Sequence, residues 1–188
     1  MGNLFRLIKI MKILKTKFKN LLLIKLDKMS DFRGNFSRLF CDKIFTDFGV
    51  KFKIKQVSLA KNPKKFTLRG MHFQDYPKRE QKLLFCLKGK IWDVVVDVRK
   101  DSSTFGQWQH FELNNKHCLF IPKGFAHGFL GLKKENIVLY SCSNYRDIKS
   151  EQTVRWNDKD LKISWGIKKP ILSRKDRNAQ TLSQFLNK

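Results

Sequence analysis

The 188-residue sequence predicts an all-β chain, an antiparallel barrel or double-sheet jelly roll. Three observations carry this. Short apolar runs recur after residue 20, with turn residues between them. The chain holds seventeen phenylalanines, and aromatic side chains favour strands. In "IWDVVVDVR", the two-residue period of a strand places Trp92, Val94, Val96 and Val98 on one face.

Taken in order, the N-terminal segment comes first. Leu4, Leu7, Ile8, Met11, Leu14 and Phe18 fall at helical spacing, with Arg6, Lys9, Lys12 and Lys19 between them. That pattern fits a basic amphipathic helix on a membrane surface. The preferred reading is an extension over residues 1–12 that leads into a first strand, with one domain over residues 13–188. The longest unbroken apolar run here, Leu21 to Ile24, is too short for a membrane span or a signal-peptide core.

The strand candidates are Leu21–Leu26, Val50–Leu59, Lys82–Leu87, Lys90–Val98, Trp108–Leu113, His117–Ile121, Gly128–Leu132 and Ile137–Tyr145. Gly89, Asn114–Asn115 and Pro122–Gly124 break the pattern between them. "SRLFCDKIFTDFG" over residues 37–49 fits a helix with Gly49 as its C-cap. The C-terminal part, with its caps and prolines, reads as loops and small helices packed on the barrel.

The net charge of +24 suits nucleic acid, an anionic membrane surface or an anionic small substrate. Lysines outnumber arginines 30 to 10 and are spread throughout, which favours a solvated surface over base and phosphate readout by arginine. No nucleic-acid partner and no integral membrane segment are expected. Cys41, Cys86, Cys118 and Cys142 form no CxxC pair, so they read as small apolar residues in a reducing, cytoplasmic compartment.

Four histidines bound the chemistry. His72 is followed by Phe73 and Gln74, so no H-x-H motif is present, and His110, His117 and His127 are scattered. A metal centre needs three or more convergent ligands, and none is expected. His72 reads either as a hydrogen-bonded structural side chain or as a general base oriented by a carboxylate. Asp176 is one carboxylate on offer, and sequence does not say that it comes near. His127 sits on a turn flanked by Gly124 and Gly128, where the backbone can approach a ligand closely. Alternation puts Val138, Tyr140 and Cys142 on one face; if that face lines a cavity, Tyr140 becomes a proton donor instead of a core residue.

Seven segments then occur in a familiar order: "DFRGNF" (31–36), "LRGMHFQ" (68–74), "QKLLFCLKGKIWDVVVDVRKDSSTFGQW" (81–108), "FIPKGFAHGFL" (120–130), "LYSCSNY" (139–145), "RWNDKDLKISW" (155–165) and "PILSRKD" (170–176). With them the chain resembles the dTDP-4-dehydrorhamnose 3,5-epimerases, from about residue 20 to about residue 180. The resemblance implies a double-stranded β-helix (cupin) jelly roll with short C-terminal helices. It implies a homodimer with exchanged N-terminal strands, a dTDP-linked 4-keto-6-deoxy sugar as substrate, and no metal or redox cofactor.

It also implies roles. His72 matches the general base, Asp176 its orienting carboxylate, Tyr140 the proton donor on the opposite face, and Lys82 the cation beside the ketone oxygen. Arg33, Arg69 and Lys175 match residues near the phosphates and sugar. His127 and Glu151 match other substrate contacts. Phe36, Gln56 and Tyr145 match the nucleotide surface, to which position 58 also belongs. Two positions depart from the family pattern: Arg38 stands where an acidic residue is usual, and Ser58 where asparagine is usual. Both lie on the nucleotide side. The rivals are a single-site epimerase or ketoisomerase on a related nucleotide sugar, a metal-dependent cupin oxygenase, and a non-catalytic jelly roll.

Overall fold

A computed structural model describes residues 11–14 and 16–187. Two antiparallel sheets face each other. The first has six strands in the order β1 (Met11–Leu14), β2 (Leu22–Leu26), β10 (His117–Ile121), β7 (Lys82–Lys88), β12 (Asn136–Cys142) and β5 (Gln56–Asn62). The second has five, in the order β13 (Glu151–Thr153), β6 (Leu68–Gln74), β11 (Phe125–Gly131), β8 (Ile91–Asp97) and β9 (Trp108–Leu113). A separate hairpin, β3 (Met29–Asp31) with β4 (Gly34–Phe36), stands apart from both. Among the described residues there are three short helices: α1 (Asp42–Asp47), α2 (Arg174–Arg177) and α3 (Leu182–Leu186). This is the jelly roll the sequence predicts.

Three apolar layers hold it. Between the sheets lie Leu84, Ile91, Val95, Leu113, Leu119, Phe129 and Val138. Outside the five-stranded sheet, Leu68, Met71, Val94, Val96 and Val98 meet Leu161, Ile163, Trp165, Leu182 and Phe185 of the C-terminal segment. Outside the six-stranded sheet, Ile24, Leu83, Phe85 and Phe120 are covered by Phe45 and Phe52. Strand β8 is therefore apolar on both faces, because each face has its own layer. The expected face of Trp92, Val94, Val96 and Val98 is the outer one.

Several elements differ from expectation. Residues 50–55 are not a strand; Val50 and Phe52 turn outward to pack with α1, and β5 starts only at Gln56. Strand β6 is absent from the expected set. Lys12 and Met11 pair with β2, so the first strand begins inside the segment read as extension. The amphipathic-helix alternative spans Leu4 to Phe18: Met11–Leu14 are a strand instead, and its part before Met11 lies outside the described residues. The expected close approach at Gly128 is made to a strand: a Cβ on Gly70, which has φ +130°, would stand 2.5 Å from the Gly128 Cα. Two facing glycines let β6 and β11 come together where β11 breaks register between His127 and Phe129.

Candidate active site

A cavity of about 580 Å³ opens between the sheets at one end of the jelly roll. Ten of the residues singled out from the sequence line it: Gln56, Ser58, Arg69, His72, Lys82, His127, Tyr140, Glu151, Lys175 and Asp176. They come from distant stretches of chain because antiparallel pairing lays β5, β12 and β7 on one wall and β13, β6 and β11 on the other.

Strand β6 carries His72, and the first turn of α2 carries Asp176. Ser173 caps α2, its hydroxyl accepting from the Asp176 N–H at 3.0 Å. That cap fixes the first turn and aims the Asp176 carboxylate inward. His72 Nε2 and Asp176 Oδ1 are 2.5 Å apart across 104 residues of sequence. Asp176 is 2% exposed. Burial pushes its carboxyl up, but hydrogen bonds from His72, Ser173 and Gly70, with the charge of a protonated His72, outweigh burial and hold it below the usual range. With Nε2–H donated to this carboxylate, Nδ1 keeps the lone pair that a base requires.

The opposite wall supplies Tyr140 on β12 and Lys82 on β7. Tyr140 lies opposite Ser58 in the register and packs against the inter-sheet core. Its face is the cavity face, with Val138 and Cys142 on the same side. The Lys82 ammonium donates to the His72 carbonyl at 3.3 Å and lies 3.2 Å from Glu80 Oε1. Lys82 thereby bridges the two walls.

Glu151 sits at the rim between two cations. Its Oε2 is 2.9 Å from both Arg146 Nη2 and Lys175 Nζ. Burial raises this carboxyl, yet the hydrogen bonds and charges of Arg146 and Lys175 bring it below the usual range. Arg69 donates to Asn62 Oδ1 at 2.7 Å. Beneath the cavity His127 Nε2 is 2.7 Å from Asp93 Oδ2, a buried pair. Burial pushes the Asp93 carboxyl up against the opposing pull of His127 and Lys82, and its Oδ1 has no partner.

Three singled-out residues lie away from the cavity. Arg33 and Phe36 are on the β3–β4 hairpin, every residue of which is exposed, and Arg33 pairs with Asp31 at 2.6 Å. Tyr145 is 62% exposed, with the Lys55 ammonium 5.1 Å from its ring centre. Its neighbour Arg146 reaches the cavity instead.

Sequence reasoning missed Asp93, Glu80 and Arg146. Asp93 had a signal: an acidic residue inside an otherwise apolar strand must find a partner when buried. Glu80 and Arg146 sit in polar turns, where nothing in the local pattern separates them from surface charges. Among the described residues, no three His, Cys, Asp or Glu side chains converge as metal ligands.

A family model described as dTDP-4-dehydrorhamnose 3,5-epimerase matches residues 15–184. The chain belongs to this family. An epimerase of the family from Salmonella typhimurium is 39% identical over 180 residues, covering 94% of this chain and 98% of the relative. The crystal structure of the Bacillus anthracis epimerase, with TDP and PPi bound, superposes with a TM-score of 0.88 at 39% identity, covering 91% of this chain and 99% of that one. The Legionella pneumophila enzyme, in complex with dTDP-4-keto-L-rhamnose, superposes with a TM-score of 0.87 at 35% identity, covering 92% and 93%. Membership in this epimerase family places the chain among the isomerases and agrees with the cupin jelly roll.

Proposed function

We propose that the protein converts dTDP-4-dehydro-6-deoxy-D-glucose to dTDP-4-dehydro-L-rhamnose by epimerisation at C3 and C5. The observation that carries this reading is the placement of His72 and Tyr140 on opposite walls of one cavity. A sugar between them presents one face to a base and the other to an acid.

The 4-ketone acidifies the hydrogens on C3 and C5. His72 Nδ1 takes one of them, and Asp176 stabilises the imidazolium that forms. The electron pair moves to O4, where the Lys82 ammonium meets the developing enolate. Tyr140 delivers a proton to the same carbon from the other face and regains one from solvent, and His72 gives its proton up to solvent. A second round at the other carbon completes the conversion. Arg69, Arg146 and Lys175 form the cationic rim that receives the diphosphate, because guanidinium and ammonium groups match its oxygens. Gln56 and Ser58 lie beyond it on β5, on the nucleotide side.

The active form in this reading is a cytoplasmic homodimer with exchanged N-terminal strands. Phe32 is 98% exposed and Phe36 56% on the unattached hairpin, a composition suited to burial against a second copy, whose cavity Arg33 and Phe36 would then reach. Four unpaired cysteines fit a reducing compartment. The test is product analysis: dTDP-4-dehydro-6-deoxy-D-glucose is incubated with the protein, and the ring couplings are read by NMR. Inversion at both C3 and C5 is expected. Inversion at C3 alone would favour the single-site epimerase, and an unchanged substrate would refute the reading.

A further inference from the structure

We infer that Glu80 is a positioning residue that holds the Lys82 ammonium at a fixed place between the two walls of the cavity. The inference rests on the proposed function for its kinetic consequence, and on geometry for its structural one.

Glu80 ends the turn between β6 and β7, so its backbone stands where the chain passes from one sheet to the other. Its side chain is 10% exposed. One carboxylate oxygen is 3.2 Å from Lys82 Nζ on the six-stranded sheet. The other lies 3.3 Å from Gln74 Nε2, on the five-stranded sheet, and shares that amide's two hydrogens with the carbonyls of Lys78 and Tyr145. Glu80 thus straps the sheets together at the cavity mouth.

Gln74 is itself a fixed anchor. It is 4% exposed, donates to the carbonyls of Lys78 and Tyr145, and accepts from the Asp147 N–H at 2.6 Å. The strap therefore ends on a group that cannot drift. An ammonium carries three donors. The Glu80 carboxylate, as an ion-pair partner at 3.2 Å, and the His72 carbonyl, as an acceptor at 3.3 Å, hold Lys82 from two sides and leave it donors for the cavity. Without Glu80, a flexible four-carbon stem would keep one weak contact at 3.3 Å and sample many rotamers. The thiol of Cys142, on the same wall, is pushed up to about 12, by burial first and by the Glu80 charge second. It stays a neutral neighbour and does not compete for the ammonium.

The consequence concerns the transition state more than substrate binding. A misplaced cation leaves the enolate oxygen without its donor, whereas the diphosphate grips the protein elsewhere. Glu80→Ala is therefore expected to lower kcat about tenfold with KM changed by less than about twofold, and Glu80→Gln, which keeps an acceptor for Lys82, to restore most of the loss.

The experiment has two arms on the full-length protein. In the first, kcat and KM are measured for wild type, Glu80→Ala and Glu80→Gln. In the second, each protein is treated with formaldehyde and borohydride, and methylation of Lys82 is followed by peptide mass spectrometry against exposed Lys88. A held, hydrogen-bonded Lys82 methylates slowly; Glu80→Ala is expected to speed it severalfold and Glu80→Gln to do so less. Unchanged Lys82 methylation in Glu80→Ala overturns the inference, whatever the activity. Faster methylation with unchanged kcat overturns the kinetic part. An inactive wild type would instead refute the proposed function, and the methylation arm would still decide the placement of Lys82.

Discussion

Asp176→Asn isolates the charge of the His72 partner. The substitution keeps the size of the side chain and removes the carboxylate that faces His72 Nε2 at 2.5 Å. Asp176 is 2% exposed, so water does not take over its role. With an effective dielectric constant of about 20, unit charges about 4 Å apart attract by about 4 kcal/mol. The transition state for proton abstraction carries only part of a positive charge on the imidazole. Roughly 2–3 kcal/mol is then at stake, or about 30- to 150-fold in kcat at 1.36 kcal/mol per tenfold. KM should move less than about twofold, because Asp176 sits behind His72 and the diphosphate grip is untouched. The assay is initial-rate NMR of dTDP-4-dehydro-6-deoxy-D-glucose consumption, with a thermal melt to show that the variant is folded. An Asp176→Asn protein that keeps more than about a third of the wild-type kcat would refute the dyad as a catalytic unit.

Three further outcomes are expected. Tyr140→Phe removes the acid and leaves the base, so deuterium exchange from solvent should persist at the sugar while net epimerised product falls about 100-fold or more; equal loss of both would place Tyr140 in some other role. Gly70→Ala puts a Cβ 2.5 Å from the Gly128 Cα at φ +130°, which should lower stability by about 3 kcal/mol or more in urea unfolding or prevent folding altogether; a wild-type midpoint would contradict the close packing of β6 on β11. Asp97 is fully buried and held at about 2: burial raises it, and hydrogen bonds from Arg99, Thr104 and Ser102 more than reverse that. Because its folded value lies below the ordinary 3.8, its stabilisation of about 2 kcal/mol is complete above about pH 5 and lost as the pH falls toward 2. Asp97→Asn should remove that part of the acid-side slope in urea midpoints, and an unchanged slope would contradict it.

Most of the sheet framework was legible because it obeys local rules. Trp108–Leu113, which alternates from Phe111 on, and His117–Ile121, a short apolar run, both lie between polar breakers, and the strands observed there have those same bounds. Strand β6 was not legible. "LRGMHFQ" interrupts its apolar residues with Arg69, Gly70 and His72, and it is a strand because β11 and β13 pair with it on either side. Residues 50–55 misled in the opposite direction. They alternate like a strand, yet α1 and the outer layer claim Val50 and Phe52. The site divides the same way. His72, Tyr140 and Lys82 stood out by residue type and, once the family resemblance was seen, by role. Their convergence with Asp176 is a product of topology, since 104 residues separate the members of the dyad. Glu80 and Arg146 carry no local mark at all; only the pairing of β6 with β13 and the crossover into β7 gives them partners.

Isotope incorporation in deuterated water decides whether His72 is the base. Wild type and His72→Ala are each incubated with dTDP-4-dehydro-6-deoxy-D-glucose, and the label is located by NMR. Deuterium is expected at both C3 and C5 with wild type, and at neither carbon with a folded His72→Ala protein. Undiminished label at both carbons in His72→Ala would show that His72 is not the base, and the cavity would have to do its chemistry another way.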